Sequence, residues 1–186
     1  MRSASDPAPV ARPADEHLAR EDRLIAGFAA LAIAIHILEA AFPSPLPGIK
    51  PGLANVVTLV VYLRHGLRIA AWVAGLRVLV GSLLIGTFLS PTFLLSATGA
   101  VAALFTLGVA GALGGRHVGP VGLSVLSALA HMSGQILVAY LLFIPHAALL
   151  KLVPILLTAA LIFGTVSGII ASFVLGLLER PRTPTR

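Results

Sequence analysis

PGLANVVTLVVYLRHGLR, residues Pro51 to Arg68, decides how many times this chain crosses a membrane. Its apolar centre, Leu53 to Leu63, falls short of a ~30 Å hydrocarbon layer at about 1.5 Å per helical residue, so length alone leaves it between spanning and re-entrant. Charge resolves the choice. If the segment spans, the N-terminal arginines, Arg64, Arg68, Arg116, Arg180, Arg182 and Arg186 lie on one side, with only Lys50 and Lys151 opposite. If it does not, Arg64, Arg68, Arg116 and the C-terminal arginines move outside, against the positive-inside rule. The segment is therefore predicted to span.

Composition demands lipid as the main solvent. Of 186 residues, 58% are hydrophobic and 11% charged, and the mean hydropathy is +0.99. A soluble core of this size needs a charged outer face. Apart from Glu39, the acids lie within the first 22 residues or at Glu179, so the apolar middle has almost no carboxylates for hydrolysis or metal catalysis. There is no cysteine, which removes disulfides, thiolate metal sites and a cysteine nucleophile. The pI of about 11.1 reflects single basic residues punctuating apolar runs, which are topology signals and not a nucleic-acid-binding face.

The fold class predicted is an all-α integral membrane protein of six transmembrane helices with both termini cytoplasmic. Residues 1–22, rich in proline, alanine and mixed charge, are predicted to be a disordered polar cytoplasmic tail, with no apolar run long enough for a secretory signal. Residues 23–179 form the six-helix membrane domain, and residues 180–186 a basic cytoplasmic tail. The spans are expected near Arg23–Phe42, Leu53–Leu63, Ile69–Thr87, Thr92–Leu113, Val118–Phe143 and Leu152–Leu178. Four prolines between Pro43 and Pro51 end the first helix, and Ser90-Pro91 marks a tight turn. Neither a soluble domain nor an internal repeat is visible.

On the first helix Ala26, Ala30 and Ala34 recur every four residues, a stripe that permits close approach of another helix, from the same bundle or from a partner. Taking Ala26 as zero, the stripe spans about 0° to 80°, while His36 and Glu39 point to about 280° and 220°. Arg77 lies mid-span, where a charge costs about 2.5 kcal/mol or more and must face a cavity or an acid. Glu39 can reach interfacial water or pair with Lys50 or Arg77. His131 and Gln135, four residues apart, continue a polar face begun by Ser124 and Ser127. Asn55 and Thr58 open the second helix, where they either cap it or, with its free N–H groups, bind a polar headgroup. Glu39, Asn55, Arg77, His131 and Gln135 are the candidate substrate-binding residues. Gly75, Gly81, Gly86 and Gly99 read as close-packing positions.

PLPGIKPGLANVVTL (Pro45–Leu59), GLRVLVGSLLIGTFLSPTFLLSATG (Gly75–Gly99) and SALAHMSGQILVAYLL (Ser127–Leu142) together resemble the bacterial Gx transporter family, also called heptaprenyl diphosphate synthase component I. The likeness runs from the first helix to the sixth. One departure is Pro51, where the family loop usually reads GIKLGLAN; it bears on the loop's shape. The family is considered similar to the substrate-binding S components of energy-coupling-factor (ECF) vitamin transporters. That resemblance implies an S-component-like bundle whose first helix docks through an alanine stripe, here Ala26, Ala30 and Ala34, on a transmembrane coupling protein. Chain-elongating prenyl synthases hold Mg²⁺ through paired aspartate-rich motifs, and no aspartate follows Asp22.

The expected function is therefore that of a non-enzymatic substrate-binding membrane component, for a vitamin, flavin or isoprenoid/quinone-precursor type of cargo, in the bacterial inner membrane. It has no Walker A motif, so energy would come from partner ATPases through a coupling protein, unless the chain works as a homo-oligomer. The expected partners are a small-molecule ligand and membrane lipid; no nucleic acid, metal or cofactor is expected. The alternative is a non-catalytic anchor or accessory subunit of an isoprenoid or redox enzyme.

Overall fold

The central element of the protein is its shortest long-range helix. A computed structural model describes residues 13–41, 52–114 and 118–179. It shows six helices and, among the described residues, no strand: α1 (Pro13–Ala41), α2 (Leu53–His65), α3 (Leu67–Ile85), α4 (Pro91–Gly114), α5 (Pro120–Val138) and α6 (Ala147–Glu179). Helix α5 continues through a widened turn, Ala139–Phe143, in which the Ile144 N–H donates to the Ala139 carbonyl five residues back at 2.8 Å. Five helices, all but α2, are long and apolar enough to cross a membrane. The chain is a multi-pass membrane protein.

Helix α2 is apolar around most of its circumference because other helices surround it. Val56, Leu59 and Val60 pack into a buried cluster with Leu107, Leu123 and Ala171 from α4, α5 and α6. Val57 and Val61 join a second cluster with Ala32, Ala70 and Val73 from α1 and α3. Lipid meets the outer helices instead, where Leu84, Phe105, Leu113 and Phe173 are exposed. Outside the bundle their alternative neighbour is a lipid tail of the same polarity, so this apolar surface carries no burial penalty.

The helices alternate in direction. Gly66, at φ 86°, is the only residue between α2 and α3. A hydrogen bond of 2.7 Å from Arg77 Nη1 to Asn55 Oδ1 joins positions that each stand eleven residues from this glycine, so the two helices fold back side by side. Gly108 of α4 faces Leu67 at the start of α3, Gly134 of α5 faces Thr98 and Ala102 of α4, and Gly168 of α6 faces Val121 of α5. At about 20 Å, α2 covers only part of the bilayer thickness, flanked by longer helices.

Two helix starts differ from expectation. Helix α1 begins at Pro13, ten residues ahead of Arg23, so residues 13–22, expected as disordered tail, are helical. The composition argument overlooked local order: a proline preset for the first turn opens the helix, and the charge of Glu16 suits a helix N-terminus. Residues 1–12 and 180–186 lie outside the described residues. Helix α6 begins at Ala147 rather than Leu152, which places Pro154 inside it. The Pro154 carbonyl accepts from the Thr158 hydroxyl at 2.8 Å.

Tyr62 ties α2 to α4 by donating to the Leu107 carbonyl at 2.8 Å, and its hydroxyl occupies the space beside Gly111 that a Cβ would need. Gly111→Ala is therefore expected to destabilise the bundle by about 1–3 kcal/mol. In a Tyr62→Phe background the same substitution should cost less, because the clashing hydroxyl is gone. Unfolding titrations of the four proteins of this cycle measure the coupling; additive effects would show that Tyr62 yields freely.

A buried polar cavity between the helices

All six helices contribute to a cavity of about 470 Å³. It begins near the α1 C-terminus and the α2 N-terminus, at Glu39 and Gly52, and reaches Leu107, Ser124 and Ser167 deeper in the bundle. From Gln135 to Ser124 this is about 16 Å along α5. The volume lies within the roughly 300–1,000 Å³ common for small-molecule sites. Glu39, Asn55, Arg77, His131 and Gln135 all line it.

Arg77 is 6% exposed. Its neutral partner Asn55 accepts one of five guanidinium hydrogens, and among the described residues no carboxylate comes within 4.0 Å of it. Asn55 thus serves the arginine and does not cap its own helix. Glu39 takes the capping role. Gly52, the residue before α2, has no side chain to cap with, and the Glu39 carboxylate accepts from the Leu53 N–H at 2.5 Å. An acid there also meets the positive end of the helix dipole. The reading of the α2 N-terminus as a place for a ligand headgroup is therefore corrected in part: the chain supplies its own anion at Leu53. Lys50, the other partner considered for Glu39, lies outside the described residues.

Glu39→Ala should loosen the first turn of α2 by about 1 kcal/mol, the usual scale for a lost cap. Hydrogen exchange at Leu53–Asn55 should accelerate several-fold while α4 and α5 keep their protection. Unchanged exchange would mean that the bond to Leu53 does not hold this turn.

Two imidazoles reach the cavity through space left by glycines. A Cβ built on Gly99 would come within 2.6–2.8 Å of three His131 ring atoms, and one on Gly81 within 2.9 Å of the His36 ring. Gly81 and Gly99 are thus close-packing positions, filled by side-chain rings. Gly75 has nothing within 4 Å of its Cβ position, and Gly86, at φ 76°, ends α3 in the left-handed region. The alanine stripe turns the other way: Ala26, Ala30 and Ala34 are exposed, while Ala29 and Ala32 are buried.

Sequence reasoning left Thr58 and Ser167 out of the candidate site, yet both are buried and line the cavity. The signal for Ser167 was its place among Gly164, Gly168 and Ala171, a small-residue face of α6 at helical spacing. Two buried side-chain polar atoms among the described residues have no hydrogen-bond partner, Thr58 Oγ1 and His131 Nδ1. Both belong to residues of the cavity wall.

Residues 28–174 match the family model described as heptaprenyl diphosphate synthase component I. The chain belongs to this family. None of the curated proteins and none of the solved structures gave a match. The family's name places component I within a synthase, and prenyl-diphosphate chemistry runs on Mg²⁺ held by several carboxylates. The residues of this component I chain do not fit such a centre. Among the described residues Glu39 is the one carboxylate on the cavity wall, and no group of three or more histidines and acids is placed to hold a metal ion.

Proposed function

We propose that this component I protein is the substrate-binding membrane component of a small-molecule transporter, resembling an ECF S component and energised by partner subunits. The observation that carries this reading is a 470 Å³ cavity with a buried arginine that has no acidic partner within 4.0 Å among the described residues. A buried charge in a membrane helix is expensive, and ligand sites and ion paths are where it is retained. Glu39, Asn55, Arg77, His131 and Gln135 form the binding wall, and the protein performs no catalysis of its own. In the bacterial inner membrane, with both termini cytoplasmic, the Glu39 end of the cavity faces outward. The exposed Ala26, Ala30 and Ala34 then present a face to a coupling protein.

Native mass spectrometry of the detergent-purified protein tests this reading. A stoichiometric small molecule of roughly a few hundred daltons should co-purify, in keeping with the cavity's size. It should be lost when Ala103→Trp fills the cavity. The exposed alanine face and the family's synthase description favour a second reading, a non-catalytic anchor for an isoprenoid or redox enzyme. In that case the spectrum would show a protein partner retained equally by wild type and Ala103→Trp, with no small molecule.

A further inference from the structure

We infer that the cavity takes an amphipathic ligand bearing a single negative charge, its anionic group seated on Arg77 and its apolar body directed toward Leu107 and Phe163. This rests on the substrate-binding reading and specifies the class of cargo.

The charge balance of the wall sets the number. Among the described residues, Arg77 is the only lysine or arginine lining the cavity, and Glu39 the only acid. Glu39 is held by the Leu53 N–H and is not within 4.0 Å of the guanidinium. One buried cation therefore remains for one anion. A guanidinium presents donors in a planar fork that suits two oxygens of a carboxylate or a phosphodiester. A second negative charge on the ligand would find no further lysine or arginine among the described residues of this wall and would feel Glu39, at a high desolvation cost.

The two unpartnered atoms supply an independent argument. Thr98, Thr158 and Thr165 each satisfy their hydroxyl at the carbonyl four residues back, at 2.6–2.8 Å. Thr58 is 7% exposed and does not; its Oγ1 is buried and unpartnered in a residue of the cavity wall. His131 Nδ1 is buried and unpartnered on the same wall, held by a ring lodged against Gly99. Leaving such groups unmet is costly, so a ligand oxygen that reached them on a small side-chain shift would be favoured there. Deeper in, Leu107, Met132 and Phe163 provide an apolar lining for the body of the molecule.

The shared chemistry, one anionic oxygen pair on an apolar body, is found both in free carboxylates and in the phosphodiesters of membrane lipids. The full-length protein should be delipidated, placed in nanodiscs and titrated with decanoate, decanamide and decyl diphosphate. Decanoate is expected to bind at least about tenfold tighter than the other two, the scale of a charge-assisted bond to a buried group. Arg77→Gln, which removes the charge and keeps a polar side chain, should reduce that preference to within about twofold. Thr58→Val should weaken decanoate and leave decanamide unchanged.

Equal binding of decanoate and decanamide, both blocked by Ala103→Trp, would overturn the charge assignment and leave the substrate-binding reading intact. Tightest binding by decyl diphosphate would overturn the single charge. An anionic phospholipid that survives detergent exchange at one per chain and is lost in Arg77→Gln supports the inference and places its source in the bilayer. If no probe binds and neither a small molecule nor a lipid co-purifies, the inference and the substrate-binding reading fall together.

Discussion

Arg77→Ala should abolish ligand retention and, at the same time, leave the ligand-free bundle as stable as before or more so. The two effects have opposite signs for one reason. Truncating one partner of a buried, charge-assisted contact costs about 2–5 kcal/mol of binding, or roughly 30-fold to several-thousand-fold in affinity. In the ligand-free protein the same substitution removes a buried cation that costs about 2.5 kcal/mol or more mid-bilayer. Against that gain stands the lost bond to Asn55, worth about 0.5–1.5 kcal/mol. Thermal unfolding with and without the co-purifying ligand separates the two. Unchanged ligand retention would remove Arg77 from the site, and a large fall in ligand-free stability would make it a structural tie between α2 and α3.

Gly168→Val should produce the largest loss of stability, because nothing near that glycine can give way. A Cβ there would lie 2.6 Å from the Val121 Cα and 3.0 Å from the Ser124 Cβ, so backbone, not a flexible side-chain tip, stands in its path. Gly164 is placed similarly, its Cβ position 3.1 Å from the Val125 Cα. Helices α5 and α6 approach this closely because α6 presents glycine to α5 on consecutive turns, and the widened gap in the variant would forfeit dispersion contacts along both. The expected cost is about 3 kcal/mol or more, a fall in Tm of roughly 5–10 °C. Gly176→Val is the control: nothing lies within 4 Å of its Cβ position, so a small effect is expected. Equal effects at the two positions would refute close packing as the cause.

The number and order of the helices were legible in the sequence because hydropathy and proline punctuation report them directly. The positions of helix ends were less so. At Pro13 the mixed-charge composition argued for disorder while the residue order favoured a helix, and the sixth helix begins at Ala147, five residues ahead of the expected Leu152. The five candidate residues share one cavity wall, since a rare polar residue in an apolar helix has few places to go other than inward. Pairings were harder to read. That Glu39 would serve Leu53, and Asn55 would serve Arg77, depended on how α1, α2 and α3 stack, which no single-helix pattern contains. Thr58 was visible as a polar residue but not as an unpartnered one, because only the fold decides whether a threonine turns to its own backbone.

The one-residue corner at Gly66 makes this region tolerant of substitution and intolerant of insertion. Asn55 and Arg77 meet because equal lengths of helix lie on either side of the corner. Exchanging one β-branched residue for another along Val56–Val61 leaves that count untouched. A single extra residue between Val56 and His65 would turn Asn55 by about 100° and move it about 1.5 Å along the axis, carrying the amide away from the guanidinium. Among relatives, an asparagine and an arginine equally spaced about a glycine would therefore report this hairpin even where the apolar residues between them have all changed.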